Sequence, residues 1–272
     1  MKVLPKKELL RFLVEDLGKG DISSALLPRK KIKARIISRQ NALVAGVKYA
    51  KEIFALKGCK VRILKKDGSK VKPNQTILEI FGTPQGILSC ERTALNLLSR
   101  MSGIATLTNA LVKKIPNRKT KLYATRKTAP GLRFFDKEAV MIGGGEKHRM
   151  SLDQMVMLKD NHIAIGKSLG GLIKKAKRKH KKIEVEVENQ RDAILAAKSG
   201  ADIIMLDNFT PGNISKTISE LKKLGLRNKV KLEASGRIND SNISRFAKTG
   251  VDMISVGAIT NSVSGIDLSL EV

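Results

Sequence analysis

The sequence predicts an α/β protein. An N-terminal α/β sandwich domain with an antiparallel sheet occupies residues 1–103, and a parallel βα barrel, closed or open, occupies residues 104–272. Three observations predict this. Short alternating segments at 34–39 and 60–65, separated by turn signals, give the first region the texture of an antiparallel sheet. From Lys121 onward, β-rich runs alternate with helical ones, which implies parallel strands joined by right-handed crossovers. The last four of these runs end on chemically capable residues: Glu186 and Glu188, then Asp207, then Ser235-Gly236, then Gly257-Ala258. Parallel βα barrels collect their reactive groups at such strand ends.

Taken in order, residues 5–17 have the apolar spacing of a first helix and residues 47–56 that of a second. Asp67-Gly68 predicts a hairpin turn leading into a strand within 70–80. A long helix is expected to open at Ser89 or Cys90, with apolar positions at Leu95, Leu98 and Met101 and a joint at Ser102-Gly103 marking the domain boundary. On that reading Arg92 stands in the first helical turn, where the macrodipole disfavours a cation. The misplaced charge hints at function, although a surface arginine paired with an acid explains it as well. Further strands are expected at 121–125, 155–160 and the four segments above. No low-complexity linker and no internal repeat interrupts the chain, so tight packing of the two halves is expected.

The 272 residues, 42% of them hydrophobic, suffice for one large domain or two modest ones. Residues 1–8 lack the apolar core of a signal peptide, and no later run approaches the roughly 20 apolar residues of a spanning helix, so a cytoplasmic protein is expected. Cys59 and Cys90 have neither metal-ligand spacing nor disulfide-scaffold density and are read as packed thiols. The net charge of +28 attracts polyanions such as RNA, acidic membranes or phosphorylated substrates without choosing among them. Much of it lies in residues 172–182 and at Lys222 and Lys223, and a solvated basic surface accounts for both clusters. With no Trp, seven Phe and two Tyr, the chain offers little for stacking on RNA bases.

Several loops carry chemistry. Thr125-Arg126-Lys127-Thr128 follows a strand and sets two cations side by side, suited to an acidic ligand. Gly143-Gly144-Gly145 costs chain entropy, which unusual dihedrals or close backbone approach would justify, and His148-Arg149 follow it at once. Lys159, at a strand end, needs an anionic partner if it points inward. Glu184, Glu186 and Glu188 share one strand face by their period of 2. The lumen is the affordable side for three carboxylates, with Glu186 best placed to reach a ligand and Glu184 and Glu188 read as ion-pair formers. Glu186 and Asp207 together suit Mg²⁺, which takes one or two carboxylates plus substrate phosphate oxygens. Ser235-Gly236 and Val256-Gly257-Ala258 close the last two strands, where barrels bind phosphate through backbone N–H groups. His148, His162 and His180 are not expected to form a metal site, for want of ligand-like partners.

These residues resemble, in order and spacing, the quinolinate phosphoribosyltransferase family. The resemblance is carried by Glu91-Arg-Thr-Ala-Leu-Asn96, Ser102-Gly-Ile-Ala-Thr106, Thr125-Arg-Lys-Thr128, Pro130-Gly-Leu-Arg133, Gly143-Gly-Gly145 with His148-Arg149, Lys159-Asp-Asn-His162, Glu184-Val-Glu-Val187, Leu206-Asp-Asn208 and Glu233-Ala-Ser-Gly236. It extends over nearly the whole chain, from Gly20-Asp21-Ile22. It implies transfer of a phosphoribosyl group to quinolinate, with loss of CO₂ and a requirement for Mg²⁺. It implies that Arg126, His148, Arg149 and Lys159 hold the two carboxylates, with Lys127 nearby, joined by Arg92 from the other subunit of a homodimer. Glu186 and Asp207 would serve the ribose and Mg²⁺-pyrophosphate, giving Lys159, Glu186 and Asp207 as the expected catalytic set. Ser235, Gly236 and Gly257 would hold the 5′-phosphate, and Thr125, Arg237, Val256 and Ala258 are further expected substrate-binding residues.

Three positions depart from the family pattern. Arg237 stands where a second small residue is usual, Asn261 where histidine is usual, and Asp136 where glutamate precedes Lys137. The first two affect the expected phosphate geometry more than the reaction. A related phosphoribosyltransferase acting on another acidic aromatic ring is the alternative, and an RNA-binding protein on an inactive barrel would explain the charge but not the ordered lumen residues.

Overall fold

The structure is a computed structural model describing residues 5–116 and 119–272. The first four residues of the charged N-terminal stretch lie outside that range. The chain divides into two compact units. The first contains residues 1–109, 138–143 and 263–272, and the second contains residues 110–137 and 144–262.

The elements run α1 (Lys6–Leu17), β1 (Ile32–Ser38), β2 (Ala42–Leu43), α2 (Val47–Ala55), β3 (Lys60–Ile63), β4 (Lys70–Val71), β5 (Thr76–Gly82) and α3 (Pro84–Lys113). They continue with β6 (Lys121–Tyr123), α4 (Arg133–Ile142), β7 (Val156–Leu158), α5 (Asp160–Gly166), α6 (Leu169–Lys177), β8 (Ile183–Val187) and α7 (Gln190–Lys198). The last are β9 (Ile203–Asp207), α8 (Pro211–Lys223), β10 (Lys231–Ser235), α9 (Ile243–Lys248), β11 (Met253–Ser255), α10 (Ala258–Asn261) and β12 (Leu268–Glu271).

In the first unit, an antiparallel sheet has the order β12-β1-β5-β3. Its apolar face includes Ala34, Ile36, Leu78 and Ile80, all 0% exposed. The C-terminal strand β12 pairs with β1, with Ile36 opposite Leu270. Asp67-Gly68 does lie in a turn, but the flanking segments are not a hairpin: β3 pairs with β5, and β4 pairs with β2. The turn is committed elsewhere, since Asp67 accepts a hydrogen bond from the Val47 N–H at 2.9 Å and Gly68 donates to Val44 O at 2.8 Å.

The long helix also departs from expectation. It opens at Pro84, whose fixed φ suits a first helical position, and it runs through Ser102-Gly103 without a joint. These two residues are small because of what they touch. The Ser102 hydroxyl bonds to both backbone groups of Ala45, and a Cβ at Gly103 would lie 2.2 Å from Ser264 O. Arg92 therefore stands two turns inside the helix rather than in its first turn, exposed, and the argument from a misplaced charge lapses.

The second unit is built on a six-stranded, wholly parallel sheet of order β6-β11-β10-β9-β8-β7. The strands are buried by helices that follow them, as in the apolar stripe of α8 (Ile214, Ile218, Leu221) and the alanine face of α7 (Ala193, Ala196, Ala197). With β6 and β7 as its two edges, the barrel is of the open kind. The basic run at 172–182 begins on α6, and its cations are exposed, as a solvated surface requires. Among the described residues, no helix is long and apolar enough to cross a membrane.

Candidate active site

The register of the parallel sheet places the chemistry in layers. Ser235 pairs with Asp207, while one step earlier Glu233 pairs with Met205, which pairs with Glu186 on its other side. Side chains from these strands face a cavity of about 390 Å³. All six strands contribute to its wall, through Ala124 after β6, Met157 on β7, Glu186 on β8, Met205 and Asp207 on β9, Glu233 and Ser235 on β10, and Ser255 on β11.

Loops at the strand ends supply the cations. Thr125, Arg126 and Lys127 follow β6, Lys159 follows β7, and His148 and Arg149 come from the segment between α4 and β7. Nine of the residues expected from sequence thus meet in one cavity. Gly236, Arg237, Val256, Gly257 and Ala258 are not in its lining, although a Cβ at Gly257 would lie 3.2 Å from Lys127 Cδ and 3.6 Å from Thr125 Oγ1. Arg92 belongs to the first unit and is not in the cavity lining.

The cations are crowded and incompletely satisfied. The Nε of Arg126 is buried without a hydrogen-bond partner among the described residues. Arg149 spends its guanidinium on Met155 O at 3.0 Å and Met157 Sδ at 3.2 Å, and burial with the nearby Arg126 charge draws its pKa down. Lys159 finds the anionic partner it needs in Glu186. Asp207 accepts a hydrogen bond from the Asn208 side chain at 2.7 Å.

His148 sits against two fully buried carboxylates, with Nε2 3.2 Å from Glu184 and 3.3 Å from Glu233. It therefore does have ligand-like partners, contrary to expectation, because strands β8 and β10 bring together residues far apart in sequence. Glu184 is an ion-pair former as expected, though its partner is a histidine. Burial alone would lower the imidazole pKa, but the hydrogen bonds to Glu184 and Glu233 outweigh it and hold the pKa at about 9. Burial raises the Glu184 pKa, against the lowering effect of the same histidine. The ring's other nitrogen, Nδ1, accepts from the Arg149 backbone N–H at 2.8 Å, and the ring can protonate there only by giving this bond up.

The loop that presents His148 and Arg149 is pinned by a residue that sequence reasoning passed over. Lys137 on α4 is fully buried and donates to Lys147 O at 2.5 Å and Arg149 O at 2.6 Å. Burial and then the neighbouring arginines lower its pKa to about 8. The Gly143 of the glycine run is explained by packing rather than by a ligand, since a Cβ there would meet Ala105 O and Thr108 Cβ at 2.6 Å. Glu233 was also missed as a site residue, and its signal was available: it lies two residues before Ser235 and so shares its strand face.

At the far end of β10, Gly236 has φ +94° and an added Cβ would lie 2.4 Å from Asn208 Oδ1. Arg237 follows at φ +51°, exposed, with its carbonyl accepting from the Asn242 side chain at 3.1 Å. Glycine would adopt this left-handed backbone more readily than arginine does.

Comparison with known proteins gives one consistent result. Family models described as quinolinate phosphoribosyl transferase, C-terminal and N-terminal domains, match residues 104–271 and 21–102. A probable carboxylating nicotinate-nucleotide pyrophosphorylase of Archaeoglobus fulgidus is 46% identical over 255 residues, covering 93% of this chain and 98% of the relative. Solved nicotinate-nucleotide pyrophosphorylase structures from Francisella tularensis and Ehrlichia chaffeensis superpose with TM-scores of 0.92 and 0.94 at 40% and 36% identity. The first alignment covers 99% of this chain and 97% of its counterpart, and the second covers 100% and 99%. The chain belongs to the quinolinate phosphoribosyltransferase family.

Proposed function

We propose that this enzyme transfers the phosphoribosyl group of phosphoribosyl pyrophosphate to quinolinate, with decarboxylation, giving nicotinate mononucleotide, pyrophosphate and CO₂ for NAD biosynthesis. The observation that carries the reading is the buried Nε of Arg126, which has no hydrogen-bond partner among the described residues, in a cavity shared with Lys127, Arg149 and Lys159. A buried donor without an acceptor is costly, and a planar diacid supplies the acceptors the protein lacks.

The cations at the ends of β6 and β7 hold the two carboxylates and orient the pyridine nitrogen toward the anomeric carbon. As pyrophosphate departs, Glu186 and Asp207 stabilise the positive charge that develops on the ribose. Attack by the ring nitrogen makes the ring cationic, and the adjacent carboxylate then leaves as CO₂ to give an ylide that is protonated. Positioning and electrostatics suffice, and no covalent enzyme intermediate is invoked.

Two carboxylates on one cavity wall, Glu186 and Asp207, are a donor set that fits Mg²⁺, with diphosphate oxygens completing the shell. An ion held there would supply countercharge to the departing pyrophosphate. Ser235, Gly236 and Gly257 receive the 5′-phosphate. We place the enzyme in the cytoplasm as a homodimer, with Arg92 completing the partner's site.

Purified protein given Mg²⁺, phosphoribosyl pyrophosphate and quinolinate should release CO₂ and form nicotinate mononucleotide, and consumption of nicotinate in preference to quinolinate overturns the assignment. Mixing inactive Arg92→Ala and Lys159→Ala variants should restore activity through hybrid dimers; no restoration argues that Arg92 acts within its own chain or not at all.

A further inference from the structure

We propose that Glu184 and Glu233 are positioning residues that together hold His148 at its Nε2 edge, fixing the ring so that its Nδ1 accepts the Arg149 backbone N–H and keeps Arg149 at the cavity wall for a substrate carboxylate. The inference rests on the diacid reading of the cavity given above, and it assigns work to two carboxylates that the reaction itself does not use.

Both glutamates are 0% exposed; Glu233 Oε2 takes the geometric hydrogen bond from Nε2, while Glu184 faces the same nitrogen as an ion-pair partner, and neither Glu184 oxygen nor Glu233 Oε1 has a hydrogen-bond partner among the described residues. Burying one incompletely satisfied carboxylate is expensive, and here two lie beside the same imidazole. They reach it from different strands, Glu184 on β8 and Glu233 on β10, each two residues before a mouth residue, Glu186 and Ser235 respectively. By register Glu233 is level with Glu186 across Met205 and Glu184 lies one step deeper, so the two carboxylates meet the ring from different depths of the cavity wall.

The histidine is held from its backbone as well. The Lys137 amine bonds the carbonyls on either side of it, Lys147 O and Arg149 O. The residue itself is forced to φ +54°, and the Tyr123 ring stands edge-on at 5.8 Å. Strain of this kind persists where surrounding contacts over-determine it.

The three side chains also have ligand atoms within 4.8 Å of one another, a spacing that would suit a cation. The Arg149 N–H argues against one. A ring that accepts a hydrogen bond at Nδ1 carries its proton on Nε2, where a metal would need the lone pair.

The chain has three histidines, so imidazole ¹⁵N spectra resolve each ring. In the wild-type enzyme His148 should show a protonated, slowly exchanging Nε2, and E184Q and E233Q should each broaden or shift that signal. E233Q should raise the quinolinate KM about tenfold, the equivalent of one weakened charge-assisted bond, with the phosphoribosyl pyrophosphate KM unchanged. E233D should recover part of the loss. An unaltered Nε2 signal and quinolinate KM in both glutamine variants overturns the proposal. So does a parallel rise of both KM values that tracks a fall in melting temperature, because that is the signature of a merely structural pair. Failure of the wild-type enzyme to consume quinolinate would sink the functional reading instead, while the spectra would still decide whether the glutamates set the ring.

Discussion

Lys159 and Glu186 form an ion pair between neighbouring strands, the lysine just beyond β7 and the carboxylate on β8, at the wall of the strand-end cavity. This pair couples the two halves of the proposed site, since one partner is a candidate for the diacid and the other for the ribose and Mg²⁺. Lys159→Ala should raise the quinolinate KM by at least about tenfold while leaving the melting temperature nearly unchanged, since a partly exposed pair contributes only ~0–1 kcal/mol to stability. Activity lost only in step with thermal stability would mark the lysine as structural.

The pH dependence of stability follows from His148. Its folded pKa of about 9 lies above the ordinary value of 6.5, so its contribution is fully present below about pH 6.5 and is lost as pH rises through about 9. The difference corresponds to roughly 3 kcal/mol at most. Denaturant unfolding of the wild type and His148→Asn should therefore show a larger stability gap at pH 6 than at pH 9.5. A gap that stays constant or widens with pH contradicts the assignment.

Gly236→Ala should destabilise the protein by about 2–3 kcal/mol, because it combines a left-handed backbone with a Cβ 2.4 Å from Asn208 Oδ1 and 2.7 Å from its backbone nitrogen. Gly250 shares the positive φ but has nothing within 4 Å of its Cβ position, so Gly250→Ala should cost only about 1 kcal/mol. Equal losses in chemical denaturation would show that the close approach to Asn208 is unimportant.

Both cysteines should resist thiol reagents in the native state. Cys90 is 0% exposed with its pKa pushed to about 12, chiefly by burial, and Cys59 is 6% exposed and likewise raised. Labelling by an aromatic disulfide should proceed only at the rate of unfolding, and rapid modification of either thiol in buffer would contradict the packing.

If Glu186 and Asp207 hold Mg²⁺, chelation should abolish turnover without lowering the melting temperature, because the cavity walls are strands and not a metal-dependent loop. Activity undiminished in excess chelator rules the ion out of the reaction.

Local pattern made much of this legible. Alternation with period 2 identified Glu184 and Glu186 as facing one side, and strand-terminal placement identified Asp207, Ser235, Lys159 and the Arg126 loop, because in a parallel βα array strand ends must gather at one mouth. The sequence by itself determined the order of elements, the class of fold and which side chains were available to an acidic ligand. Only the tertiary structure decided their partners. Asp67-Gly68 looks like a hairpin but serves a cap on α2; Ser102-Gly103 looks like a joint but admits the Ala45 and Ser264 backbones against an unbroken α3; His148 looks unpartnered but lies between β8 and β10. In each case the deciding contact spans tens of residues, and propensity and periodicity carry no information about what packs against a residue from that far along the chain.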